Sequence, residues 1–142
     1  MSEYIPAKLR RQVVDRDRNR CAYCQTSEIN SGIPLSVDHV FPVAQGGQTV
    51  LDNICLACRT CNEAKGKRTD GIDPLSGGRF LLFDPIREGW DEHFVWGADG
   101  VEVRGKTAIG RVTVEVLRMN NPVIRAARRR WVLSGWHPPD RL

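Results

Sequence analysis

The sequence predicts an α+β protein stapled by a metal knot, with a compact first half and an appended hairpin and helices. Three observations predict it. Two Cys-x-x-Cys pairs, Cys21/Cys24 and Cys58/Cys61, bracket a stretch that reads strand, loop, strand. A helical stretch opens at the second pair. A hairpin signal and two capped helices then follow in the second half.

The elements come in order. Pro6 to Asp17 predicts a helix: proline suits a first helical position, and Leu9, Val13 and Val14 share one face among arginines. Ser27 to Pro34 reads as a loop, and Leu35 to Val40 as a strand. Pro42 to Gln48, with Gly46-Gly47, reads as a turn-rich link. Asn53 to Leu56 is a second apolar segment, and Cys58 to Lys67 a turn opening into a helix. Gly, Pro and Asp crowd the stretch after Arg68, which predicts a linker over 71–79 between a unit at 1–70 and an extension at 80–142. Phe80 to Phe83 reads as extended. Phe94-Val95-Trp96 and Val101-Glu102-Val103 flank Gly97-Ala-Asp-Gly100, a hairpin pattern. Thr107 caps a helix to about Met119, and Asn121-Pro122 starts another that ends near Gly135. Trp90, Trp96, Trp131 and Trp136 are expected to build a small core there.

Composition bounds the partners. Hydrophobic residues at 41% and charged residues at 27% are ordinary for a soluble globular domain. There is no run of about 18 apolar residues to span a membrane. Met1 to Lys8 has no apolar core of a secretory signal, so a cytoplasmic protein is expected. Lys and Arg exceed Asp and Glu by 21 to 17, which permits a polyanionic partner without demanding one. Five cysteines argue against a closed disulfide framework.

Each Cys-x-x-Cys turn aims two thiolates at one soft cation, and two such turns complete the tetrahedral S₄ shell that zinc favours. The 33 residues between the pairs require something folded between the two halves. Cys55-x-x-Cys58 is also a legal pair. Cys58 and Cys61 are preferred because Cys55 lies in the apolar run Ile54-Cys55-Leu56, where it suits core packing. Inside the stapled unit, Asp38 and His39 interrupt an apolar strand, and Asn53 and Asn62 follow. Asn62 lies about 100° around a helix from Cys61 and so faces away from the knot. Lys65 lies three residues further on nearly the same face, a candidate phosphate contact with a solvated surface lysine as the alternative. Asp38 and His39 are neighbours on a strand. They reach one site only if the strand bends or ends there.

Cys21-x-x-Cys24, Val37-Asp38-His39, Gly46-Gly47, Asp52-Asn53-Ile54 and Cys58-Arg-Thr-Cys61-Asn62-Glu-Ala-Lys65-Gly66 together resemble the zinc-bearing branch of the HNH endonuclease family. The resemblance covers roughly residues 5 to 70. It implies a ββα-metal core in which a two-stranded hairpin and a helix grip one divalent cation. It implies His39 as the general base on water, and Asp38 and Asn62 as ligands of a catalytic Mg²⁺ or Mn²⁺. Asn53 then braces the hairpin and orients the histidine, while the four cysteines hold a structural Zn²⁺. Imidazole, neutral over much of the cellular pH range, suits proton abstraction, and a sparse oxygen shell suits Mg²⁺ or Mn²⁺. The implied substrate is DNA, double-stranded, cut by a nickase or by a homodimer that severs both strands. The competing reading is a non-catalytic zinc module that binds nucleic acid or protein, which needs the cysteines but not Asp38, His39, Asn53 and Asn62. Outside the resembling half, Arg125, Arg128, Arg129 and Arg130 lie on one expected helix, and Arg128, Arg129 and Arg130 are the candidate phosphate contacts. His93 and His137 have no role assigned.

Overall fold

A computed structural model describes residues 4–140. The first three and last two residues, to which the units expected at 1–70 and 80–142 and the reading of Met1 to Lys8 extend, lie outside the described residues.

Helix α1 (Ala7–Asp17) begins one residue later than the sequence suggests, with Pro6 as its extended N-cap. It ends where Arg18 turns left-handed. Its buried residue is Val13, which packs with Leu35, Ile54 and Leu56. The end of α1 is pinned to the following sheet by two polar side chains. The Arg16 guanidinium donates to the carbonyls of Leu51 and Ile54, and the Asp17 carboxylate accepts from the Leu56 amide at 2.8 Å. A single helical turn, α2 (Glu28–Ser31), stands where a loop was expected. The Ser27 hydroxyl caps it by accepting from the Asn30 amide, and Gly32 closes it in the left-handed region. Four residues carry no period that a sequence pattern can detect.

Strand β1 (Ser36–His39) pairs antiparallel with β2 (Ile54–Ala57), so Asp38 lies opposite Cys55 and His39 opposite Ile54. All four residues of β2 are buried, which explains its unbroken apolar run. The link between the strands turns at Gly46 (φ 98°), while Gly47 lies so close to the Phe41 carbonyl that a Cβ would sit 1.8 Å from its oxygen. Helix α3 (Arg59–Lys65) follows at once, with Cys58 as its N-cap. Together β1, β2 and α3 form the expected ββα unit.

Residues 71–79 differ from a linker. They belong to a hairpin of β3 (Asp70–Ile72) and β4 (Arg79–Leu81) packed on a helix of the second half, α5 (Ala108–Val116). The features that read as flexible have packing reasons. A Cβ on Gly71 would meet Val116 Cγ2 at 2.7 Å, so the glycine marks a close approach. Asp73 is fully buried at the loop. It accepts from the Leu75 and Ser76 amides and takes two 2.9 Å bonds from Arg111, which holds its carboxyl well below the usual carboxylate range.

The short helix α4 (Trp90–His93) leads into β5 (Phe94–Trp96), paired with β6 (Val103–Gly105). The second strand starts two residues later than its sequence pattern suggests, because the turn extends until Gly97 N–H meets the Glu102 carbonyl. Thr107 caps α5 as expected, though the helix stops at Val116 rather than near Met119. Asn121 caps α6 (Pro122–Leu133). Trp90 and Trp131 are buried and Trp96 partly so, whereas Trp136 is 59% exposed and does not join the expected tryptophan core. One continuous core runs from Cys21, Tyr23 and Cys61 through Phe83, Phe94 and Val112 to Met119. Among the described residues, no helix is long and apolar enough to cross a membrane.

Candidate metal centre and active-site cleft

The two Cys-x-x-Cys turns meet. The sulfurs of Cys21, Cys24, Cys58 and Cys61 all lie within 4.8 Å of one another, and Cys24 and Cys58 Sγ are 3.6 Å apart. A tetrahedral ion with Zn–S near 2.3 Å requires S···S distances of about 3.8 Å, so the donor set fits such a metal. Backbone geometry aims the thiols: the Cys24 amide approaches Cys21 Sγ at 3.5 Å, and the Cys61 amide approaches Cys58 Sγ at 3.4 Å. The electrostatics point the same way. Contacts with Cys21, Cys58 and Cys61 hold the Cys24 thiol well below its usual value. Burial pushes Cys21 up, and contacts with the other three thiols push Cys61 up. Four crowded sulfurs ionise together only around a cation. Cys55 stands apart, its thiol pushed up first by burial and then by the Asp38 charge. The open choice of register thus falls to Cys58 and Cys61.

The ends of β1 and α3 line a second feature, an open cleft of about 420 Å³ to which Asp38, His39, Asn62 and Lys67 contribute. Three consecutive residues at the end of β1, Val37, Asp38 and His39, line it. Asp38 is buried, and its Oδ2 accepts from Tyr23 Oη at 2.7 Å and from Lys65 Nζ at 3.0 Å. Burial pushes the Tyr23 hydroxyl well above its usual value, so it remains a donor. His39 Nε2 lies 2.8 Å from Thr49 Oγ1. Asn53 clamps the link behind the histidine. Its side chain accepts from Phe41 N–H at 2.9 Å and donates to the carbonyls of Phe41 and Gln48 at 3.0 and 2.9 Å, and its carbonyl accepts from Val40 N–H. Asn53 does not line the cleft that holds His39.

Two candidate phosphate contacts are buried instead. Lys65 is 2% exposed; besides Asp38 it reaches the His39 carbonyl at 2.9 Å, so it ties α3 beneath the end of β1. Its position three residues past Asn62 turns it toward the hairpin, not toward solvent. Arg128 is fully buried and donates to the Val101 carbonyl and to Asn120 Oδ1. Arg129 and Arg130 are exposed on α6. Sequence reading missed Tyr23 and Thr49. Tyr23 sits inside the first cysteine pair, and Thr49 in the turn-rich link, where only the fold shows what each touches. His93 is engaged by Thr107 and Glu88. His137 is buried edge-on to Trp96, and burial, followed by the charge of Arg128, lowers its pKa to about 4.

Residues 21–72 match the family model described as HNH endonuclease. The matched stretch holds both cysteine pairs, Asp38, His39, Asn53, Asn62 and Lys65, and it covers a little over a third of the chain. A search of curated proteins finds no match.

Proposed function

Residues 21–72 carry an HNH endonuclease segment, and from that premise we propose that the chain is a metal-dependent endonuclease that hydrolyses DNA phosphodiester bonds. The observation that carries the reading is the convergence of Asp38, His39 and Asn62 on one open cleft beside a closed cysteine knot. His39 is the general base. Its Nε2 pairs with the Thr49 hydroxyl, which leaves Nδ1 to take the proton of an attacking water. Tyr23 and Lys65 both hold Asp38 by Oδ2, so Oδ1 is the donor left for a divalent ion, with the Asn62 amide oxygen as its companion. Such an ion, Mg²⁺ or Mn²⁺ on an oxygen-rich shell, supplies charge stabilisation at the phosphate and at the departing 3′ oxygen. Asn53 acts at one remove, by fixing the link that carries Thr49. The cysteines hold structural zinc. Double-stranded DNA is the substrate in this reading, and a homodimer the form that would cut both strands.

The engagement of Asp38 by Lys65 favours the second reading, a zinc module without catalysis, because it withdraws one carboxylate oxygen. Supercoiled plasmid separates the two. Incubation with Mg²⁺ or Mn²⁺ is expected to convert it to nicked or linear form, and excess EDTA to prevent this. No conversion with any divalent metal would leave the zinc module standing.

A further inference from the structure

Among the described residues, two Lys or Arg side chains are buried, Lys65 and Arg128, and only one of them has an anion. Lys65 meets the Asp38 carboxylate at 3.0 Å. Arg128 lies within ion-pair distance of no carboxylate among the described residues. Its Nη1 donates to the Val101 carbonyl at 3.0 Å and to Asn120 Oδ1 at 3.1 Å, and its guanidinium carbon stands 5.1 Å from the centre of the Trp96 ring. Nε and Nη2 are buried with no hydrogen-bond partner. A buried charge without a partner is strongly disfavoured, so a compensating anion is required close by. The cysteines are the neighbours: Ala127 and Trp131, on either side of Arg128 along α6, line one groove with Cys58, and Trp96 beneath the guanidinium packs against the core that holds Cys21, Cys24 and Cys61. Burial pushes the Arg128 guanidinium below its usual value, and the sulfurs of Cys24, then Cys61 and Cys58, act against that shift. His137, also buried there, is neutral at cellular pH and adds no competing charge.

We propose that Arg128 is the counter-charge of the metal–thiolate centre, a guanidinium delivered by α6 that offsets part of the negative charge of four cysteine thiolates around one divalent ion. The proposal rests on the reading of the cysteine cluster as a zinc site. Four thiolates and one Zn²⁺ leave a net charge of two minus in a buried place, and the orphaned Nε and Nη2 of Arg128 match that need. The second half of the chain thereby completes the metal centre of the first. Neighbours outside the ligand shell of this kind hold ligand charge and orientation, and their loss typically weakens metal binding about 10- to 100-fold.

The experiment uses the full chain as wild type, R128K, R128M and R129A, the last an exposed change on the same helix. Zinc content is measured by elemental analysis, and release to a chromogenic chelator is followed in time. A cobalt-substituted sample of each reports the sulfur-to-metal charge-transfer band. R128M is expected to release zinc about 10- to 100-fold faster than wild type, with its cobalt band moved to longer wavelength as the thiolates lose a neighbouring cation. R128K and R129A are expected to keep the wild-type rate within a few fold and the wild-type band. If R128M does not fold, R128K decides: wild-type release and an unmoved band support the counter-charge. R128K failing like R128M, or R128M behaving as wild type, overturns it. A wild-type chain that binds no zinc overturns the zinc reading together with the counter-charge. A zinc-bearing wild type with an indifferent R128M overturns the counter-charge alone.

Discussion

The cysteine knot and the His39 cleft share one ββα unit and are built by opposite rules. The knot is closed: four sulfurs from two tight turns face one point, three of the four cysteines are buried, and a metal there has no position left for substrate. The cleft is open: it offers one carboxylate, one imidazole and one amide, and the carboxylate already serves two protein donors. A closed set of four suits a metal that stabilises a fold, and a sparse set suits a metal that meets a ligand. The α3 helix belongs to both. Cys58 and Cys61 at its start build the knot, Asn62 one step on lines the cleft, and Lys65 at its end holds Asp38 and the end of β1. Through α3 the knot and part of the cleft are anchored on one element.

The largest effect tests that anchoring. Cys21→Ser or Cys61→Ser is expected to lose both metal and cooperative folding, because zinc at such sites contributes roughly 10–16 kcal/mol of binding free energy that is coupled to folding. Cys55→Ser is expected to keep its metal. Elemental analysis with a circular-dichroism melt reads both, and retention of zinc in Cys61→Ser with loss in Cys55→Ser would reverse the assignment.

Next comes the cleft itself. His39→Ala is expected to fold, keep its zinc and bind DNA, yet cleave about 10²- to 10⁴-fold more slowly in single-turnover assays of a labelled duplex. Near wild-type cleavage by this variant would remove His39 from the chemistry. Asn62→Ala belongs to the same test, since it should raise the Mg²⁺ or Mn²⁺ needed while leaving zinc content unchanged.

Lys65 distinguishes a fastening from a phosphate contact. Removing one partner of a buried ion pair costs about 3–5 kcal/mol, so Lys65→Met is expected to lower the denaturation midpoint sharply. A variant of wild-type stability whose DNA binding alone had weakened would return Lys65 to the substrate.

The smallest effect lies outside both sites. Arg129→Ala with Arg130→Ala is expected to leave stability unchanged and to reduce the salt dependence of DNA binding by roughly one counterion per lost phosphate contact. An unaltered slope assigns this face of α6 to solvent or to a protein partner.

How much of this was legible in the sequence follows from the range of the interactions. The helices α1, α3, α5 and α6 were readable because each carries its own start signal: Pro6, the Cys58 turn, Thr107 and Asn121-Pro122. The turn α2 was not, since four capped residues leave no periodicity. The segment 71–79 misled because glycine and aspartate have the same spelling in a flexible link and in a tightly packed hairpin. Only Val116 against Gly71 and Arg111 on Asp73 tell the two apart, and both lie far along the chain. Lys65 and Arg128 misled for a related reason. A basic residue on a helix is solvated unless something distant covers it, and here the end of β1 covers one while Val101, Asn120 and Trp96 cover the other.

The sequence by itself determined the donors: which cysteines come in pairs, and that Asp38, His39, Asn53 and Asn62 fall between and just beyond them. It could do so because ligand spacing and helix periodicity are local, set by bond geometry within a few residues. The tertiary structure decided what each donor faces. It excluded Cys55 from the knot by burying it on β2 against Tyr23 and Asp38, and set Asp38 and His39 along one cleft with Asn62 of α3. It also turned two expected surface cations inward. Those outcomes depend on desolvation and on distant partners, 26 residues away for Lys65 and His39 and 27 for Arg128 and Val101, and burial is a property of the assembled core that no short stretch of chain carries.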